Sequence, residues 1–144
     1  MIDDSRGVTS PIEYVLTFAI AGILIIGLVI AATGQVESQR SRTVQAQMDV
    51  VGQQIAGSLE VADRRIASGA SSMTLNREVP NELLGQQYTV TVESDAIIVE
   101  SPVAESSLRV PYETDAPVQS TPKTLNGGEI VIEYSGSQLV IDNV

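Results

Sequence analysis

The chain contains no cysteine, no histidine and no tryptophan, and only one phenylalanine and one lysine, Lys123. Without cysteine there is no disulfide framework and no thiolate nucleophile. Without histidine, the side chain that most often serves as general base, nucleophile activator or zinc ligand is missing, which removes most hydrolase and metalloenzyme readings together. Cations of any kind are scarce. Eight Lys and Arg stand against 18 Asp and Glu, a formal net charge of −10, and such a surface repels nucleic acid. An acidic, lysine-poor composition also suits a folded surface kept hydrated in concentrated salt, which points to a halophilic source.

Charge is absent from one long stretch altogether. That stretch is Val15 to Thr33; at about 20 residues and roughly 1.5 Å of rise per residue, a helix of this length matches the hydrocarbon thickness of a bilayer. A secretory signal peptide is the competing reading. Its apolar region is usually about 7 to 15 residues long behind a basic segment, and no Ala-x-Ala site stands just after Thr33. The run is followed at once by helix-compatible sequence, so a retained membrane-spanning helix is the better expectation.

Ser10-Pro11-Ile12-Glu13 reads as a helix start, with a hydroxyl at N-cap, proline at the first helical position and glutamate three residues on, the arrangement of a capping box. The helix is expected to begin at Pro11, give or take about two residues. Within the span, Thr17/Ala21 and Gly27/Ala31 are small residues four apart that would let another helix approach closely. Past Gly34 polarity rises but the helical period continues. Val44, Met48, Val51, Ile55, Leu59, Ala62 and Ile66 form an a/d-like apolar stripe, while Gln39, Arg40, Arg42, Gln47, Gln53, Glu60 and Arg64 occupy the other face. Glu60 and Arg64 stand in the favourable i, i+4 order, a pairing of about 0.3–0.5 kcal/mol. Gly52 and Gly57 each weaken a helix by roughly 1 kcal/mol relative to alanine, so the stripe has to be packed against something. Gly69 is a plausible helix C′ residue.

The remainder reads as strands. Met73-Thr74-Leu75 alternates. Tyr88–Glu93 and Ala96–Glu100 form a hairpin about Ser94-Asp95, and Ser107–Tyr112 reads as an edge strand because Pro111 would be awkward inside a sheet. Glu113 to Gly128, with its prolines and glycines, shows no element of its own. Glu129–Tyr134 and Gln138–Asp142 form a second hairpin. The expected fold class is α+β: a long N-terminal transmembrane and amphipathic helix packed on a small antiparallel β-sheet. The divisions are a short leader at 1–7, a transmembrane helix at 8–34, an amphipathic extension at 35–69 and a small β domain at 70–144.

Arg6-Gly7-Val8-Thr9-Ser10-Pro11, followed by the apolar helix, resembles archaeal type IV pilin-like proteins, in particular haloarchaeal members with a single N-terminal helix and a small β domain. The motif covers the first thirty-odd residues, and the rest agrees in architecture. The resemblance implies a short class III-type leader, cut between Gly7 and Val8 after the basic Arg6 by a prepilin-peptidase-like membrane protease. It implies that the helix first anchors the subunit and then packs against itself or other pilin-like subunits, with the C-terminal domain outside the cell. In bacterial pilins a glutamate stands fifth after the cut, where it can neutralise a neighbour's new amine. Glu13 is sixth, and the capping box explains it as well. Arg40, Arg42, Arg64 and Arg65 follow the span and only Arg6 precedes it, so the positive-inside rule alone would place the C-terminal domain in the cytoplasm.

No constellation points to catalysis, a cofactor or a metal. Glu93-Ser94-Asp95 and Glu113-Thr114-Asp115 lack the spacing and glycine of a calcium loop and read as solvated turns. Lys123 lies between Pro122 and Thr124 in a polar loop, where it is expected to be exposed. Gly127-Gly128 lacks the strand-to-helix context of a phosphate loop. Two functions stay open. The first is a non-catalytic, membrane-anchored pilin-like subunit with a cell-surface β domain. The second is an anchored binding or accessory module that is neither processed nor assembled into filaments.

Overall fold

The computed structural model describes residues 6–102, 105–119 and 121–144, with side chains from residue 11 onward. Its order is α1 (Arg6–Ala67), β1 (Met73–Val79), β2 (Thr89–Val92), β3 (Ala96–Ser101), β4 (Ser106–Pro111), β5 (Lys123–Asn126), β6 (Gly128–Tyr134) and β7 (Leu139–Asn143). Two compact units divide at Arg40 and Ser41, so the amphipathic stretch from Ser41 belongs with the strands. The architecture is α+β, one long N-terminal apolar helix and small antiparallel sheets.

The helix begins at Arg6, ahead of the expected Pro11, and Pro11 lies inside it. In helical geometry the upstream turn pairs the carbonyls of Arg6, Val8 and Thr9, which a start at Pro11 would leave to water, and proline forfeits only one bond. Ser10 is therefore a helical residue rather than an N-cap. The other end is as expected. Gly69 takes a φ of +105°, its N–H donates to Ile66 O at 2.9 Å, and Ala70 N–H donates to Arg65 O at 3.1 Å. This pair of bonds is a Schellman motif with glycine at C′.

Within the Ser41–Val144 unit the apolar stripe is the centre of the core. Val44, Met48, Val51, Ile55, Leu59 and Ala62 are all buried, and Ile66 packs at the margin. The strands meet them with period-two faces: Val90 and Val92, Ile97 and Val99, Ile130 and Ile132, Leu139 and Ile141 are buried, with Glu100, Glu129, Glu133 and Asp142 turned outward. Gly52 lies where the helix approaches β3 and β4. A Cβ built there would stand 2.6 Å from Val110 Cγ2 and 3.5 Å from Val99 Cγ2. The glycine that weakens the helix is what lets it lie close to the strands. Glu60 and Arg64, set in the favourable order, make no ion pair among the described residues.

The β region forms two antiparallel sheets rather than one, ordered β1-β6-β7 and β4-β3-β2-β5. Both expected hairpins are present, Val92 opposite Ile97 and Tyr134 opposite Leu139, and β4 is an edge strand. β1 is longer than Met73-Thr74-Leu75, running to Val79 because β6 pairs with it from Met73↔Tyr134 to Val79↔Gly128. The loop expected from Glu113 to Gly128 contains β5, which pairs with β2 from Thr89↔Asn126 to Val92↔Lys123. β5 also ties the sheets together. Asn126 N–H donates to Asn143 Oδ1 at 2.9 Å, and Asn143 Nδ2 donates to Asn126 O at 3.0 Å.

Candidate functional site

Among the described residues of the Met1–Arg40 unit, the side chains of the span have no internal cover. Along the span, large apolar groups stand open on every face, among them Phe18 at 83% exposure, Leu28 at 73% and Ile30 at 68%. A helix apolar all round needs a nonpolar surrounding, whether lipid or other helices. Its length and hydropathy are compatible with a single-pass membrane anchor. The polar groups it carries are satisfied locally. Thr17 Oγ1 donates to Glu13 O at 2.8 Å, and Thr33 Oγ1 donates to Val29 O at 2.9 Å, the back-bonding that hides a hydroxyl from hydrocarbon.

The residues expected to matter for processing lie at the start of this helix. Arg6, Gly7 and Val8 form its first residues, so the Gly7–Val8 peptide bond is helical. The rest of the expected leader, residues 1–5, lies outside the described residues. Glu13 is exposed. With Ser10 inside the helix the capping explanation for Glu13 falls away, and its carboxylate has no partner among the described residues. A carboxylate at the edge of an apolar span is a functional candidate.

In the β unit, side chains treated as isolated in sequence are brought together. Glu93-Ser94-Asp95 is not a free solvated turn. Arg109 from β4 donates to Glu93 Oε2 at 2.7 Å and to both Asp95 oxygens at 3.0 Å, and the paired carboxylates hold its guanidinium above the usual arginine range. Tyr112 closes the turn from the other side: its hydroxyl donates to Glu93 O and its N–H donates to Asp95 O. Burial, helped by the Asp95 charge, pushes the Tyr112 phenol up. Lys123 is not a bare loop residue either. It sits on β5, largely covered, with Nζ donating to Asp142 Oδ2 at 2.7 Å. That bond first, and the Asn143 N–H second, hold the Asp142 carboxyl below its ordinary value.

Three further anchors carry little local signal in the sequence. Asp63 on α1 accepts from Asp115 N–H at 3.1 Å and Ala116 N–H at 2.9 Å, fastening the chain after β4 to the helix. Ser58 is buried, donates to Gln54 O at 2.7 Å and accepts from Arg77 Nε at 2.9 Å. Tyr88 donates to Pro80 O at 2.6 Å, beside Gly127, where a side chain would run into Pro80 O and Asn81 O. A groove of about 300 Å³ lies along Ala46, Gln47, Val50 and Leu83, and Gln47 Oε1 is buried there without a hydrogen-bond partner.

These contacts fasten turns, strands and helix to one another. Among the described residues no three His, Cys, Asp or Glu side chains are grouped to hold a metal ion. No curated protein and no solved structure matches the chain. Residues 3–142, nearly the full length, match a family of unknown function, DUF7266, and the chain belongs to that family.

Proposed function

We propose that this protein is a non-catalytic, pilin-like subunit, anchored by α1, cut between Gly7 and Val8 by a prepilin-peptidase-like protease, and carrying its acidic β domain outside the cell. The observation that supports this reading most is the uncovered apolar surface of the span, continuous in sequence with a stripe that the β domain does bury. Lipid covers the apolar part in the precursor; neighbouring copies or other pilin-like subunits cover it after assembly. Removal of the leader takes away Asp3, Asp4 and Arg6, whose charges resist transfer of that end into an apolar bundle. The new Val8 amine then finds a counter-charge in Glu13 of a neighbour.

The experiment is the mass of the native N-terminus, combined with protease added to intact cells. A chain beginning at Val8 whose C-terminal strands are cleaved from outside is the expected result. The arginines at 40, 42, 64 and 65 favour a second reading, an unprocessed anchored binding module facing inward. A native chain that keeps Met1 to Gly7, with Tyr134 protected from external protease, would establish that reading instead.

A further inference from the structure

Pro11 stands four residues after Gly7, and both lie within α1. In an α-helix the N–H of residue 11 would donate to the carbonyl of residue 7, but proline has no N–H. The Gly7 carbonyl is thus the one in the first turn that the helix cannot pair with its usual donor, and the proline ring crowds that same carbonyl outward from the axis. It belongs to the Gly7–Val8 peptide bond. Hydrolysis of that bond needs a water oxygen to add to the Gly7 carbonyl carbon. The C–N bond then breaks, both water protons pass to the Val8 nitrogen, and a Gly7 carboxylate and a Val8 ammonium remain. A carbonyl held in a helical hydrogen bond must first be released before its oxygen can be polarised by a protease.

We propose that Pro11 is a positioning residue for leader removal: it leaves the Gly7 carbonyl free and makes the first helical turn easy to open at the scissile bond. This rests on the cut proposed above. Glycine at residue 7 adds to the effect, since it favours the helix least among residues other than proline.

The test follows processing of the full-length chain over time, in membranes that contain the protease, by the mass of the N-terminus. Pro11→Ala restores the missing donor and should slow the cut about tenfold, the scale of one regained backbone hydrogen bond. An α-hydroxy acid at residue 11, which keeps the alanine side chain but replaces the N–H by an ester oxygen, should return the rate to that of the wild type. Ser10→Pro combined with Pro11→Ala frees the Arg6 carbonyl instead and should stay slow. If the wild type is not cut at all, the processing reading itself falls. If the wild type is cut and Pro11→Ala keeps pace with it, processing stands and the role of Pro11 is overturned. An ester variant as slow as Pro11→Ala, or a shifted proline as fast as the wild type, would likewise overturn the assignment to the Gly7 carbonyl.

Discussion

Gly52 on α1 faces Val110 on β4 so closely that a Cβ on the glycine would lie 2.6 Å from Val110 Cγ2, whereas a Cβ on Gly57, five residues along the same helix, would meet nothing within 4 Å. The two glycines should respond oppositely to alanine. Gly57→Ala gains helix propensity without strain and should stabilise the β unit by up to about 1 kcal/mol. Gly52→Ala gains the same propensity but overpacks the interface, a term of about 1–3 kcal/mol in the other direction, so net destabilisation is expected. Thermal melts of the two variants in one detergent would decide it; equal shifts of the same sign would mean the approach at Gly52 is not tight.

Ile55 lies in the middle of the buried stripe at 1% exposure. Ile55→Ala should cost about 2–5 kcal/mol, because the surrounding strands relax only partly around the lost atoms. Val50, on the opposite face of the same helix at 54% exposure, is the control, and Val50→Ala should change the melting temperature little. A melt unchanged by Ile55→Ala would show that the stripe is not the core.

The stripe and both hairpins are legible in the sequence because each is a short-range pattern: steps of three and four residues for the helix, alternation about a two- or three-residue turn for the strands. What is not legible depends on distant partners. Lys123-Thr124-Leu125-Asn126 carries a single buried apolar residue, Leu125, between Pro122 and two glycines, and becomes a strand because β2 offers it an edge. β1 waits for β6, more than fifty residues on, so its length and the split into two sheets do not follow from local pattern. The capping box misled for a different reason. Ser10, Pro11 and Glu13 satisfy a real local rule, but a helix that already holds a proline near its start gains more from one further upstream turn than from the cap. At the candidate site, Arg6, Gly7 and Val8 rest on the motif alone, whereas the links from Asp63 to Asp115 and from Arg109 to Glu93 and Asp95 require the fold.

Tyr88 should make the protein sensitive to alkali. Burial pushes its phenol from 10.0 up to about 12, so the folded chain retains a proton that the unfolded chain releases above pH 10. Bound protons are then fewer in the unfolded state and stability falls as pH rises through that window; below pH 10 the contribution is complete. Tyr88→Phe removes both the titration and the bond to Pro80 O, leaving that carbonyl unpaired at a cost of about 1–3 kcal/mol. Denaturant melts at pH 8 and pH 11 should show a loss in the wild type that is smaller in the variant. Equal losses would place the alkaline sensitivity elsewhere.

Asp142 offers the acid counterpart. Its carboxyl is held below 3.8 by Lys123, so its contribution is present above that value and is lost as pH falls through the lowered one. In Lys123→Met the Asp142 carboxyl should titrate closer to 3.8, since only the Asn143 N–H remains to hold it down. Carboxyl carbon shifts followed by NMR between pH 2 and 6 would read this directly. An unmoved titration would mean that the 2.7 Å contact is not populated in solution.

Salt sets two electrostatic effects of opposite sign against each other, and their sizes predict the outcome. The ion pairs Arg109–Glu93, Arg109–Asp95 and Lys123–Asp142 lie at or near the surface, with side chains 26–70% exposed. Pairs of this kind contribute about 0–1 kcal/mol each and weaken as salt is added. Against them stands a formal net charge of −10 on 144 residues; eight cations cannot neutralise 18 anions, and the unpaired carboxylates repel one another in every compact state. Screening relieves that repulsion throughout the chain while it removes at most three local attractions. The melting temperature should therefore rise from low salt toward about 1 M, where the Debye length is near 3 Å and most of the change is complete. Arg109→Gln separates the contributions: it deletes two of the three pairs and adds to the net negative charge, so its melt should start lower and rise more steeply with salt than that of the wild type. A wild-type melting temperature that falls with salt would show that the ion pairs dominate, and would remove the physical basis for placing this acidic surface in concentrated salt.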